Sequence, residues 1–148
     1  KTFAALTFVL PKSQPLIYTG QEIGLNRRLE FFEKDTVKEL VDLEYGKEYR
    51  EFYKNLCAFR HDNSALAAGE TVAPINIIEE APEAVLAFTR ENAENYVFCV
   101  FNFSAEAQTF VVSEAVAGDY RCACGKEMSL VAGETIELAP WQFYLLAK

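Results

Sequence analysis

Gln21 and Glu22 are the residues whose types and setting most invite chemistry. They stand between Gly20 and Gly24, directly after the apolar run Leu16-Ile17-Tyr18-Thr19. A short uninterrupted run of this kind reads as a strand buried on both faces, carrying an amide and a carboxylate to its exposed end. A carboxylate in that place can take up or release a proton. A lone one supplies only half of a mechanism that needs both an acid and a base. The other reactive side chains make no complete constellation. His61 is the single histidine, and no Ser or Cys is placed to make it a triad base; it reads as a helix-end residue favoured by the dipole. Cys57, Cys99, Cys122 and Cys124 show no metal-ligand spacing, so no metal site is expected. Cys122-Ala123-Cys124 puts two thiols on one side of a strand. A disulfide within that pair would be strained, and free thiols are the expected state. Asn102-Phe103-Ser104 matches a glycosylation sequon but falls at a strand end, where structure explains it better.

These residues must be positioned by a chain of 148, enough for one ordinary domain with a sizeable core. It is too short for a complete β/α barrel, about 250 residues, plus anything further. Hydrophobic residues make up 51% and aromatics 14%, which argues against disorder. The formal charge of −8, without a Lys/Arg cluster, repels phosphate backbones and excludes a nucleic-acid partner. No apolar run approaches the roughly 18 residues of a membrane span. Residues 1–10 superficially resemble a signal peptide. However, 11–15 form no small-residue cleavage site and there is no initiator Met, so the reading is a start in mid-protein with any targeting signal upstream. Localisation stays open.

The spacing predicts helices over 1–10, over Thr36–Leu43 with Asp35 as N-cap, and over 45–60, where Tyr49, Phe52, Leu56 and Phe59 recur at three- and four-residue steps. After a division near Leu66–Ala73 the texture changes to short runs punctuated by turn residues. Strands are predicted at 75–78, 85–90, 96–103, 109–112, 120–124, 128–131, 135–138 and 143–146. Close strands without intervening helices predict an antiparallel β-sandwich. The fold class is therefore mainly β with N-terminal helices.

Several segments, in order, resemble the α-amylase family (glycoside hydrolase family 13). Phe3-Ala4-Ala5-Leu6 with Leu10-Pro11 is similar to the helix before the final barrel strand, and Pro15 to Gly24 resembles that strand and its loop. Phe31-Phe32-Glu33-Lys34-Asp35 resembles a stretch common in bacterial members, although a tryptophan that often follows it is absent. Tyr49–Leu56, Phe59-Arg60 and Asn63–Leu66 with Gly69 resemble the last barrel helix and its exit. Val97–Ser104 and Leu138-Ala139-Pro140-Trp141 before 143–146 resemble the all-β domain that follows the barrel.

The resemblance implies a helix–strand–helix remnant of a catalytic β/α barrel over 1–66 and a C-terminal antiparallel β-sandwich over 73–148. It implies a parent that is a retaining glycosidase on α-glucans such as starch or maltooligosaccharides. Its two carboxylates would sit about 5–5.5 Å apart on earlier barrel strands, before Lys1, so no catalytic residue lies in this chain and the chain alone should be inactive. Gln21 and Glu22 then shape the floor of a pocket, Arg27 and Arg28 lie in a loop where members touch sugars, and solvated charge explains those arginines equally well. No cofactor is implied. Phe3, Phe8, Leu16 and Ile17 would lack their barrel partners, so residues 1–24 are expected to pair with another copy, refold or move. Two other readings stay open: a carbohydrate-binding module with Trp141, Tyr96, Tyr120 and Tyr144 as stacking candidates, and a structural or interaction domain.

Overall fold

The computed structural model describes residues 1–30, 32, 44–69 and 72–148. The helix expected at 36–43 and most of the Phe31–Asp35 stretch lie outside them. Among the described residues two α-helices, α1 (Thr2–Val9) and α2 (Glu44–Asp62), precede eight strands: β1 (Ile75–Ile77), β2 (Val85–Glu91), β3 (Tyr96–Asn102), β4 (Gln108–Val111), β5 (Gly118–Cys122), β6 (Glu127–Leu130), β7 (Thr135–Leu138) and β8 (Phe143–Ala147). Each predicted strand is present within two residues of its expected ends.

Among the described residues the strands form a six-stranded antiparallel sheet, ordered β1-β2-β3-β8-β5-β6, and a two-stranded ribbon of β4 and β7. The reason for three layers is legible in β3. Its run Val97-Phe98-Cys99-Val100-Phe101 is buried on both sides. Val97, Cys99 and Phe101 face one core with Ala5, Phe8 and Val9 of α1 and Leu56 and Phe59 of α2. Phe98 and Val100 face a second core with Phe110, Ile136 and Leu138 of the ribbon and Tyr120 of β5. Alternation with period two thus feeds two cores from one strand.

α1 has only eight residues and would be marginal alone. Leu10 takes extended backbone because Pro11 follows, which ends the helix. Its carbonyl end is tied down by two arginines. Arg60 of α2 donates to the Phe8 and Ser13 carbonyls, the latter at 2.6 Å, and Arg90 of β2 donates to Val9 at 3.1 Å. Cations are favoured at that end of a helix. In α2, Tyr53 joins Leu56 and Phe59 on the buried face, with Tyr49 and Phe52 partly buried. Asn63 donates to the Phe59 carbonyl at 2.7 Å as the helix ends. His61 is exposed in the last turn beside Asp62.

Two expectations need correction. Leu16–Thr19 is not a strand here: the segment is free of any ladder, and Leu16 and Tyr18 are 79% and 70% exposed. A parallel strand exists only through its neighbours, and among the described residues no strand pairs with this segment. Conversely, residues 1–24 are not wholly without partners. Phe8 is buried against Tyr53 of α2, and Ile17 packs at the margin of the same core, while Phe3 remains 64% exposed.

Candidate functional site

Gln21 and Glu22 sit in a single 3-10 turn, Gln21–Ile23, framed by two glycines in the left-handed region. Gly24 has φ +67, and a Cβ there would meet the Tyr49 ring at 2.9 Å. Glycine is required because the turn must reverse while pressed on α2. Ile23 is fully buried and anchors the turn. The Tyr18 N–H donates to Gln21 Oε1 at 3.1 Å, which holds the amide across the loop.

The turn meets α2 at Tyr53. Burial raises the Tyr53 phenol above its ordinary value, a hydrogen bond from Gln21 opposes that, and the nearby Tyr49 and Glu22 add to it. Tyr53 therefore stays a neutral hydrogen-bonding group, and sequence periodicity had not singled it out. Glu22 is half-buried at the protein surface, while Arg27 and Arg28 are exposed on the loop that follows. The structure thus places all four candidate residues on one stretch, Gln21–Arg28, whose 3-10 turn is seated against the N-terminal half of α2. The arrangement can accept and donate hydrogen bonds to a polyol.

Trp141 is held by other contacts. Its backbone lies in the left-handed region with φ 60, its N–H donates to the Ser104 carbonyl at 3.1 Å, and its carbonyl accepts from the Thr2 hydroxyl. The indole lies 6.2 Å from the Phe3 ring, which lies 5.1 Å from Phe103. Trp141 remains 46% exposed. The other aromatic candidates face inward. Tyr120 is buried and donates to the Val116 carbonyl at 2.9 Å, Tyr96 donates to Ala115 at 2.8 Å under the Lys148 ammonium, and Tyr144 accepts from Gln142 at 2.9 Å.

Asn102 answers the sequon. It is fully buried, its amide donates to the Glu106, Leu138 and Ala139 carbonyls, and its oxygen accepts from the Ser104 N–H and hydroxyl. It ties the end of β3 to the start of β4 and the end of β7. Among the described residues no helix is long and apolar enough to cross a membrane, and no group of three or more His, Cys, Asp or Glu could hold a metal ion.

Residues 75–145 match the family described as the C-terminal domain of maltogenic amylase. A crystal structure of AmyP in complex with maltose is similar with a TM-score of 0.72 at 17% identity, covering 99% of this chain and 33% of that one. An AmyP variant in complex with maltotriose gives 0.71 at 18%, with the same coverage. A MutB mutant in complex with glucose gives 0.65 at 20%, covering 99% of this chain and 38% of that one. MutB is described as a trehalulose synthase. The likeness to these structures is one of fold. The chain spans between 33% and 38% of their length. No curated protein matches it in sequence.

Proposed function

We propose that this chain is the C-terminal part of an amylase-type enzyme and that its parent is a retaining glycoside hydrolase acting on α-glucans, a reading supported by the match of residues 75–145 to the maltogenic amylase C-terminal domain family and by the likeness in fold to AmyP. The family match over 75–145 is the observation that carries the reading. In this account residues 1–66 are the last helix–strand–helix of the catalytic barrel and residues 73–148 the β-sandwich packed beside it. The Leu16–Tyr18 segment, which lies outside any ladder, supports that role, since it offers two exposed large side chains, Leu16 and Tyr18, to neighbouring strands.

The attacking carboxylate and the acid, about 5–5.5 Å apart in a retaining enzyme, are assigned to the rest of the parent. Gln21 and Glu22 form part of the pocket floor at the end of the last barrel strand, where such barrels place their sites. Arg27 and Arg28 lie on the adjoining loop toward the sugar. Without the barrel, the chain self-associates through residues 1–24, where Phe3, Leu16 and Tyr18 are exposed.

The test is turnover of maltotriose and of sucrose by the full-length parent, with the anomeric configuration of the product followed by NMR. Retention on the maltooligosaccharide is expected. Turnover of sucrose alone would transfer the parent to the chemistry named for MutB, and inversion would remove the two-carboxylate retaining mechanism.

A further inference from the structure

The tip of the β5–β6 hairpin holds a pair of nucleophilic side chains that the proposed function leaves unused. Cys122 ends β5, but Ala123 and Cys124 belong to the turn, so the two cysteines are not simply successive same-face residues of a strand. Three hydrogen bonds shape that turn: Cys122 N–H to the Lys126 carbonyl at 2.8 Å, Gly125 N–H to the Cys122 carbonyl at 2.7 Å, and Cys124 N–H to Cys122 Sγ at 3.3 Å. Gly125 adopts φ +82 with open space around it, which lets the chain double back. As a result the two sulfurs lie 2.8 Å apart. Closing them to a bond of about 2.05 Å needs a movement of under about 1 Å.

The two thiols differ in access. Cys124 is exposed and Cys122 half-buried, and both are free. Burial pushes the Cys122 thiol up to about 11, so it stays protonated until a neighbouring reaction calls on it. Beside them opens a cavity of about 220 Å³, walled by Phe52 and Leu56 of α2 and by Phe143 and Leu145 of β8, with both cysteines on its edge. Its apolar lining suits an aromatic or alkyl substituent rather than a charged one.

We infer that Cys122 and Cys124 form a dithiol modification site, which small disulfides bearing an apolar group convert to an intramolecular disulfide. The Cys124 thiolate attacks one sulfur of the small disulfide, forming a mixed disulfide and expelling one thiolate. Cys122 then gives up its proton and attacks Cys124 Sγ, expelling the second. The protein dithiol loses two electrons and two protons, and the small disulfide becomes two thiols. The site lies where the hairpin tip meets α2, since Ala123 packs into the same core as Phe52 and Leu56.

The probe is 4,4′-dithiodipyridine, supplied at one equivalent to the chain carrying Cys57→Ser, because Cys57 is also exposed. Trypsin cuts after Arg121 and Lys126, isolating both cysteines on one peptide. Two thiopyridones should be released per chain, and the 122–126 peptide should be lighter by two hydrogens with no pyridyl group retained. Cys122→Ser should keep one pyridyl group on Cys124. Cys124→Ser should slow release from this peptide about tenfold or more, because a half-buried thiol with a raised pKa is a poor first nucleophile. A pyridyl group retained on the wild-type peptide, an unmodified peptide, or equal rates for the two serine variants would overturn the inference.

Discussion

Arg90 on β2 donates from Nη1 to the carbonyl oxygen of Val9 at 3.1 Å, joining residues 81 apart in sequence. The same guanidinium also reaches the Ala73 carbonyl through Nε at 3.3 Å and Nη2 at 3.1 Å, and it is fully buried. No carboxylate partner is among these contacts; the acceptors are carbonyls, one of them at the C-terminal end of α1. Burial and the nearby Arg60 lower its pKa from the ordinary arginine value, with Cys99 opposing. This one side chain fastens the first helix, the segment before β1, and the large sheet together.

Arg90→Met keeps an apolar stem but strands the buried Val9 carbonyl and the half-buried Ala73 carbonyl. Hydrogen bonds from a charged group contribute about 1.5–3 kcal/mol each, and replacing a buried charge by a hydrophobe returns part of that. A net loss of about 2–4 kcal/mol is expected, read by urea denaturation. A change under about 0.5 kcal/mol would show that α1 is held by apolar packing alone.

Gly24→Ala tests the turn that carries Gln21 and Glu22. The left-handed backbone costs a residue with a Cβ about 1–2 kcal/mol, and the added methyl would also press on the Tyr49 ring. Unfolding should cost about 2 kcal/mol less than in the wild type, and in the parent KM should rise. Gly125→Ala, with open space around it, should show the backbone cost without the steric one.

Asn102→Asp replaces an amide that donates to three carbonyls with a carboxylate that repels them. A destabilisation of about 3 kcal/mol or more is expected, in line with stranded buried polar groups. When the chain is expressed through a secretory route, intact-mass spectrometry should find no glycan on Asn102, since its amide hydrogens are engaged. An occupied Asn102 would mean that this knot is open during maturation.

Alkaline pH should unfold the chain through its buried phenols. Burial raises Tyr120, with Tyr96 adding to it, and burial likewise raises Tyr96 and Tyr53. A raised folded pKa means that the folded state holds its proton longer, so this stability is full below the unfolded phenol value of about 10 and is lost as pH rises beyond it. Melting temperature should be flat in this respect up to about pH 9.5 and fall above it, together with phenolate absorbance. Tyr120→Phe should flatten the fall, at a cost near 1 kcal/mol at neutral pH for the lost bond to Val116.

Much of the fold is legible in the sequence because its signals are local. The continuous run from Tyr96 to Phe101 declares a strand buried on both faces, and Tyr49, Phe52, Leu56 and Phe59 declare the inner face of α2. The contacts that fasten these pieces are not. Arg60 and Arg90 bind backbone carbonyls far along the chain, and any residue presents such an acceptor, so no pattern foretells them. Leu16–Thr19 reads as a strand because its composition is that of one, but a ladder needs partners that composition does not contain. Cys124 reads as strand because apolar alternation reaches it, whereas Gly125 moves the turn forward by two residues. Of the candidate site, the glycine-framed pair at Gln21 and Glu22 was visible and Tyr53 beneath it was not. Tyr53 lies outside the set of positions that had marked the apolar face of its helix.

Removing the exposed apolar side chains tests whether the segment seeks other strands. Leu16→Lys with Tyr18→Lys should shift the isolated chain toward monomer in light scattering, with α2 and the sheet unchanged by circular dichroism. An unchanged mass distribution would place any association elsewhere.

The most direct measurement compares maltotriose turnover by the full-length parent with that by this chain alone at equal molar concentration. The account predicts hydrolysis with retained anomeric configuration by the parent and no turnover above buffer by the chain. A parent inert toward every α-glucoside, or a chain that hydrolyses maltotriose unaided, would contradict it.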